Sequence, residues 1–564
     1  MSRPIPAHPS NARTGRTPDR RCVVAGIAIA LAATGVGLDV TGAQSTTYDI
    51  VIRHGRIVDG TGAPWYAGDI GIANGRIAAI GRLERATAAR TIDAANQIVA
   101  PGFIDMMGQT AAPFLADPNA AFNLLSQGIT TINAGEGESD APLDSREATV
   151  KGWQTMRQFF ARLETTGMPM NMAQTVGHTQ VRQIVVGDTD RQATADELTT
   201  MRALVREAME AGAIGLSTSL IYPPAIYASE EEIAELAKVA GEYGGSYFTH
   251  MRNEGDRLLE AIDEALRIGS TAGTPVHIFH LKTAGQANWP KMDLALARIR
   301  AARASGQQVG ADVYPYINNG LGIRALLHPR HAAQGQAILL ERLTLPDVRA
   351  EMRRDMETST GWENWYLHAG KDWDRIVIAG VRQGPYAAHN GESVAAIARA
   401  VKKDPWDVFF DLTQTEASAM PQSMSDANKI KAMREEFVSF DTDAGPLLPG
   451  VAGHPRAYGA FARLLGRYVR ELGALTLEGA VHRASAVAAN EIQAYDRGRL
   501  APGLAADIVV FDPSAVRDRA TFAEPTLTSE GFRTVLVNGL VVLDGGRYTG
   551  AKPGRVLRGQ GYRP

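Results

Sequence analysis

The strongest constraint on the fold of this chain is a regular alternation through its middle. Short apolar runs, "AIGLSTSL", "GSYFTH", "TPVHIFH", "QQVGADVYPY", "DRIVIAG" and "EFVSFDTDAG", are separated by stretches with helical periodicity. One of these, "TADELTTMRALVREAMEAG", opens with a capping box, Thr194 and Glu197. It sets Leu198, Met201, Val205 and Met209 on one face. The next, "SEEEIAELAKVAGEYGG", repeats the device with Ser229 and Glu232. Strand–helix alternation over this length predicts α/β architecture, with parallel strands closed into a (β/α)8 barrel over residues 101–494. A doubly wound open sheet is the competing arrangement, but no Gly-x-Gly-x-x-Gly turn and no P-loop supports it.

The two ends differ from the middle. "YDIVIRHGRIVDGTG", "GDIGIANGRIAAIG" and "ARTIDAANQIVA" are short and alternating, punctuated by turn pairs such as Asp59-Gly60 and Asn74-Gly75. The same texture returns in "GRLAPGLAADIVVFD" and "FRTVLVNGLVVLDGGRY". Residues 44–100 and 495–564 are therefore expected to build one small β-sandwich together. Residues 320–375 interrupt the barrel rhythm with a charged helical stretch followed by Trp362, Trp365, Tyr366 and Trp373, and are expected to form a lid over the barrel mouth.

Residues 1–43 form a leader. Arg13, Arg16, Arg20 and Arg21 precede the run "VVAGIAIALAATGVGL", and Thr41 and Ala43 have the spacing a signal peptidase reads. The run is short for a membrane span, so export to the periplasm or medium is expected, without stable membrane insertion. The Arg20-Arg21 pair leaves the Sec and twin-arginine routes both open. The one cysteine, Cys22, lies in this leader, which restricts any metal site in the mature chain to His and carboxylate ligands. A formal net charge of −3 gives no electrostatic case for nucleic acid.

Polar residues gather where the predicted strands end. "GSYFTH" closes on His250, "TPVHIFH" on His280, and "EFVSFDTDAG" near Asp443. In a parallel barrel these ends share one mouth, so two histidines and an aspartate converge on one point, as a metal site requires. His277 shares the face of His280 but sits deeper and reads as a core histidine.

The strings "PGFID", "THMRNEG", "HIFHLK", "DVYPY", "SFDTDAG" and "HPRAYGAFARLLGRYVR", with the β-rich ends, resemble the amidohydrolase superfamily, and within it the N-acyl-D-amino-acid deacylases. The resemblance covers nearly the whole mature chain. It implies a metal-bearing (β/α)8 barrel with a small β-sandwich, and hydrolysis of an N-acylated amino acid or peptide-like small molecule. It further implies that His250 and His280 hold the buried metal and that Asp443 is the general base. By the same resemblance Arg456 meets the substrate carboxylate, and Lys282, Tyr222 and Tyr316 line the pocket. His178 is a weaker candidate for polarising the oxyanion.

The chain departs from that pattern twice. The first strand of the family ends in His-x-His, whereas this one reads Met107-Gly108-Gln109. Thioether and amide are poor substitutes for imidazole on zinc, so the outer metal site is expected to be lost, with Gln109 turned toward water or substrate. The family's Gly-Asn-Cys-Gly loop is replaced by "AGEGES", in which Glu136 or Glu138 becomes the third ligand, Glu136 being preferred because it follows Gly135, which fits the family's loop glycine. Glu136, His250 and His280 would hold one divalent ion, zinc by donor type, with an open fourth position. That arrangement resembles the N-acetylglucosamine-6-phosphate deacetylases, which include members lacking the first His-x-His. A degenerate, ligand-binding relative and a dipeptide, lactam or ester hydrolase are the alternative readings.

Overall fold

The computed structural model describes residues 47–564, so the leader over residues 1–43 lies outside the described residues. Eight short strands form the barrel: β1 (Phe103–Asp105), β2 (Ile129–Ala134), β3 (Asn171–Gln174), β4 (Gly215–Ser219), β5 (Ser246–His250), β6 (Val276–Ile278), β7 (Val309–Val313) and β8 (Val438–Phe440). All neighbouring pairs are parallel. Beyond Gln174 the chain of β3 continues through Val176–Gly177, which pairs with β4 and joins the two arcs of the sheet. The Met106 N–H donates to the Phe440 carbonyl at 3.2 Å and links the β1 end to β8. Every residue of these strands is buried, as expected where helices cover a parallel sheet.

The helices follow their sequence signals. Thr194 and Glu197 form a reciprocal capping box on Ala195–Ala211, whose Met201, Val205 and Met209 are buried. Ser229 caps Glu230–Glu242 in the same way, but the Glu232 side chain turns inward to His178 and Arg182 instead of completing the box.

One nine-stranded sheet is built from both ends of the chain, joined where Ile508–Phe511 pairs antiparallel with Ile98–Pro101. Asn74 and Gly75, at φ 52° and 76°, make the tight turn between Tyr66–Ala73 and Arg76–Gly81. Its core is largely aliphatic, with Ile52, Ile57, Ile70, Ile72, Val99, Ile508 and Val510 packed together. Residues 554–563 leave this sheet and run along the barrel, where Leu557 N–H donates to the Met172 carbonyl at 2.7 Å.

Between β7 and β8 the chain makes its longest excursion. Leu321–Gly322, Ser418–Pro421 and Ile376–Ala379 form a three-stranded antiparallel sheet there. "DRIVIAG", expected as a barrel strand, supplies the last of these instead. A short apolar run carries no information about which sheet it joins. The module therefore runs on past residue 375 and has its own core. In it Trp373 lies 4.6 Å from Tyr366, 4.9 Å from Trp406 and 5.2 Å from Phe409. Leu327, Leu339 and Trp365 from this module line the wall of the cavity at the barrel mouth.

Candidate metal centre

The C-terminal ends of the barrel strands open into a cavity of about 850 Å³. Three ligand-type side chains converge at its floor. His250 ends β5, His280 follows β6, and Glu136 sits in the loop after β2. That loop is pinned by the Gly137 N–H, which donates to Ser217 Oγ at 3.0 Å. Glu136 Oε1 lies 2.7 Å from His250 Nδ1 and 3.1 Å from His280 Nε2. Glu138, the alternative ligand, is exposed at the rim and touches neither histidine.

The residues behind the histidines match what a metal site needs. Glu254, fully buried, places Oε1 3.0 Å from His280 Nδ1 and Oε2 3.5 Å from His250 Nε2. Lys282 donates to Glu254 Oε1 at 2.6 Å. One carboxylate thus faces the rear nitrogen of both imidazoles, the arrangement that fixes ring orientation in metal–histidine sites. Burial works against charge on Glu136, but the two histidines hold its carboxyl well below the usual range. Burial and Lys282 oppose a proton on His280, yet the Glu254 and Glu136 carboxylates raise it to about 9. The carboxylates at this point thus favour positive charge between them.

The donor set fits a divalent ion. One carboxylate oxygen and two imidazole nitrogens lie within 4.8 Å of one another. Tetrahedral zinc with bonds near 2.0–2.1 Å would space its ligands at about 3.3 Å, close to the separations seen. His250 Nε2 and Glu254 Oε2 are buried without a hydrogen bond and stand 3.5 Å apart. In a second His–carboxylate cluster, His331 with Glu351 and Asp355, both acids are already engaged by Arg330, at 2.9 and 2.7 Å.

Asp443 follows β8 and is 8% exposed, at the cavity wall. Its Oδ2 pairs with Arg456 at 2.6 Å and its Oδ1 accepts from Gln109 at 2.8 Å. Burial pushes the Asp443 carboxyl up, Arg456 opposes, and the Glu136 charge adds to the rise. The loops carrying Gln109 and Asp443 touch at Gly445, where a Cβ would come within 2.1 Å of the Gly108 carbonyl oxygen, so only glycine fits.

Gln109 is half-buried and lines the cavity. Its amide nitrogen is committed to Glu136 and Asp443. Tyr222 packs edge-on against His250, with ring centroids 5.8 Å apart. Tyr316 does not line the cavity: its hydroxyl meets Asp518 at 3.3 Å, and Arg463 covers its ring. Tyr314 takes the place expected of it, with the Arg456 guanidinium 4.8 Å above its ring. The two tyrosines lie beyond the end of β7, where regular alternation no longer assigns a side. His178 is also misplaced in the sequence reading, since it is fully buried and bonded to Glu232 at 2.9 Å. His277 is a core histidine between Asp312 and Glu491. Sequence reasoning passed over Glu254, although it stands four residues after His250 in "THMRNEG". It also passed over Lys429, buried 4.1 Å above the Tyr314 ring and lowered to about 7 by burial and by neighbouring Lys282.

A (β/α)8 barrel whose strand ends gather Glu, His, His and Asp over a cleft defines a metal-dependent hydrolase. The comparisons with known proteins place it more closely. Residues 90–543 match the amidohydrolase family, and the chain belongs to that family, hydrolases of carbon–nitrogen bonds other than peptide bonds. It is 36% identical over 521 residues to the N-acyl-D-glutamate deacylase of Alcaligenes xylosoxydans xylosoxydans, covering 90% of this chain and 96% of that one. Among solved structures it resembles the N-acyl-D-glutamate deacylase of Bordetella bronchiseptica, complexed with zinc and a phosphonate mimic of the tetrahedral intermediate. That match has a TM-score of 0.75 and 34% identity, and covers 91% of this chain and all of that one. A D-aminoacylase studied for one-metal activation and second-metal attenuation at a binuclear centre matches with TM-score 0.75 and 32% identity, over 91% of this chain and 100% of that one.

Proposed function

We propose that this protein removes the acyl group from an N-acyl-D-amino acid, using one divalent metal ion, zinc by the character of its donors. The convergence of Glu136, His250 and His280 beside Asp443 carries the reading. When bound, the metal supplies Lewis acidity to the acyl carbonyl and the attacking water.

The chain's own groups do the rest. Asp443 takes a proton from water as the water oxygen adds to the acyl carbon. It then delivers that proton to the nitrogen as the C–N bond breaks, leaving a free amine and a carboxylic acid. Its partly desolvated carboxyl suits both steps, since a raised value brings the acid and base forms closer in energy. Arg456, buried at the wall over Tyr314, is the cation that meets the substrate carboxylate, with Lys282 and Tyr222 flanking the metal ligands. Among the described residues no helix is long and apolar enough to cross a membrane. Export through the arginine-led leader is part of the same proposal and is read from sequence alone.

The test pairs metal quantification by mass spectrometry with a panel of N-acyl-D- and N-acyl-L-amino acids on wild type and His250→Ala. Wild type should hold metal and hydrolyse D-substrates. His250→Ala should lose the metal and on the order of a thousandfold or more in kcat/KM, as several kcal/mol of Lewis-acid stabilisation disappear. Undiminished hydrolysis by metal-free protein, or turnover confined to L-substrates, would remove the proposal.

A further inference from the structure

Among the described residues, Gln109 is the one whose side chain hydrogen-bonds both Glu136 and Asp443. Its Nε2 donates to Glu136 Oε2 at 2.9 Å and to Asp443 Oδ1 at 2.8 Å. Both amide hydrogens are therefore spent on carboxylate oxygens, and turning the amide over would set its carbonyl against two anions. The backbone is held as firmly as the side chain. Gly108 N–H donates to the Asn133 carbonyl and Gly135 N–H to the Gln109 carbonyl, each at 2.7 Å. Gln109 and Asp443 both sit in the left-handed region, at φ 56° and 46°, where non-glycine residues persist only if their surroundings hold them. Behind Gln109, Met106 and Met107 are fully buried and fill the barrel interior with Ile104, Phe248 and Phe279.

Two carboxylates facing one point call for a cation or for a donor that bridges them. We infer that Gln109 is a positioning residue that serves as a fixed, uncharged bridge between Glu136 and Asp443, and that by filling this point it makes the centre obligately one-metal. The bridge leaves Glu136 Oε1 for the ion shared with His250 and His280, and aims Asp443 at the same side of the cavity. The inference rests on the one-metal reading above.

Cobalt(II) in excess provides the test, read by bound equivalents, by electron paramagnetic resonance and by kinetics. Wild type should take up one equivalent with an uncoupled high-spin signal. Gln109→Glu keeps the side-chain shape but places a third carboxylate at the bridge point. It should bind a second equivalent and give a coupled signal. Gln109→Met fills the space without donating, so it should still bind one equivalent, with an altered cobalt spectrum. Its kcat should be lower by about ten- to a hundredfold and its KM little changed. A second equivalent in wild type would overturn the inference. So would a Gln109→Glu variant that stayed at one equivalent with wild-type kcat, or a Gln109→Met variant with wild-type spectrum and kcat. Absence of any bound cobalt in wild type would bring down the metal reading itself, a result distinct from these.

Discussion

Two sides of the same cavity floor are built in opposite ways. On the β5 and β6 side, His250, His280, Glu254 and Lys282 form a buried network of ionisable groups, each within hydrogen-bonding or ion-pairing reach of another. On the β1 side, Met106 and Met107 are fully buried hydrocarbon and thioether, and Gln109 is the polar group that reaches Glu136 and Asp443. Charge buried on the first side is tolerable because it is paired and, on our reading, completed by an ion. The second side has no such partner and has been packed as core. The difference teaches that one side of a polar cavity floor can be packed as core while the carboxylates facing it stay bridged by a single neutral donor.

The most severe way to break this comparison is to act on the group that joins the two sides. Asp443→Asn keeps the shape and should lower kcat by about 10²–10⁴-fold with metal content unchanged, measured by steady-state kinetics alongside metal analysis. A fall in bound metal instead would make Asp443 a ligand. On the packed side, Met107→Ala should destabilise the fold by about 2–5 kcal/mol in denaturant unfolding, because the barrel interior cannot collapse around the cavity. Near-neutral stability would mean that the thioether is not core. On the charged side, Glu254→Gln should weaken metal affinity by about ten- to a hundredfold, read by competition with a chromophoric chelator, while the folded protein remains monodisperse.

The sequence revealed the strand-end residues well, because a parallel barrel delivers every such position to one mouth. His250, His280 and Asp443 close apolar runs, whereas Glu136 was legible only through the resemblance of its loop, and the structure brings all four to one cavity. What it concealed lies past the strands. Glu254 reaches back to both imidazoles only because residues 251–257 turn, and no periodicity describes that turn. Tyr314 and Tyr316 exchange roles because strand alternation stops at Val313. Ile376–Ala379 is as apolar as a barrel strand, and only its pairing with Ser418–Pro421 shows that it belongs to the module above. Gln109 was legible as a missing ligand but not as a bridge, since its partners lie 27 and 334 residues away.

Anomalous diffraction at the zinc edge, on crystals grown with excess zinc, tests the central claim most directly. The account predicts one peak in the cavity, within bonding distance of Glu136, His250 and His280, with the Gln109 amide still between Glu136 and Asp443. A second peak beside Gln109, or a single peak bound away from Glu136, would contradict it.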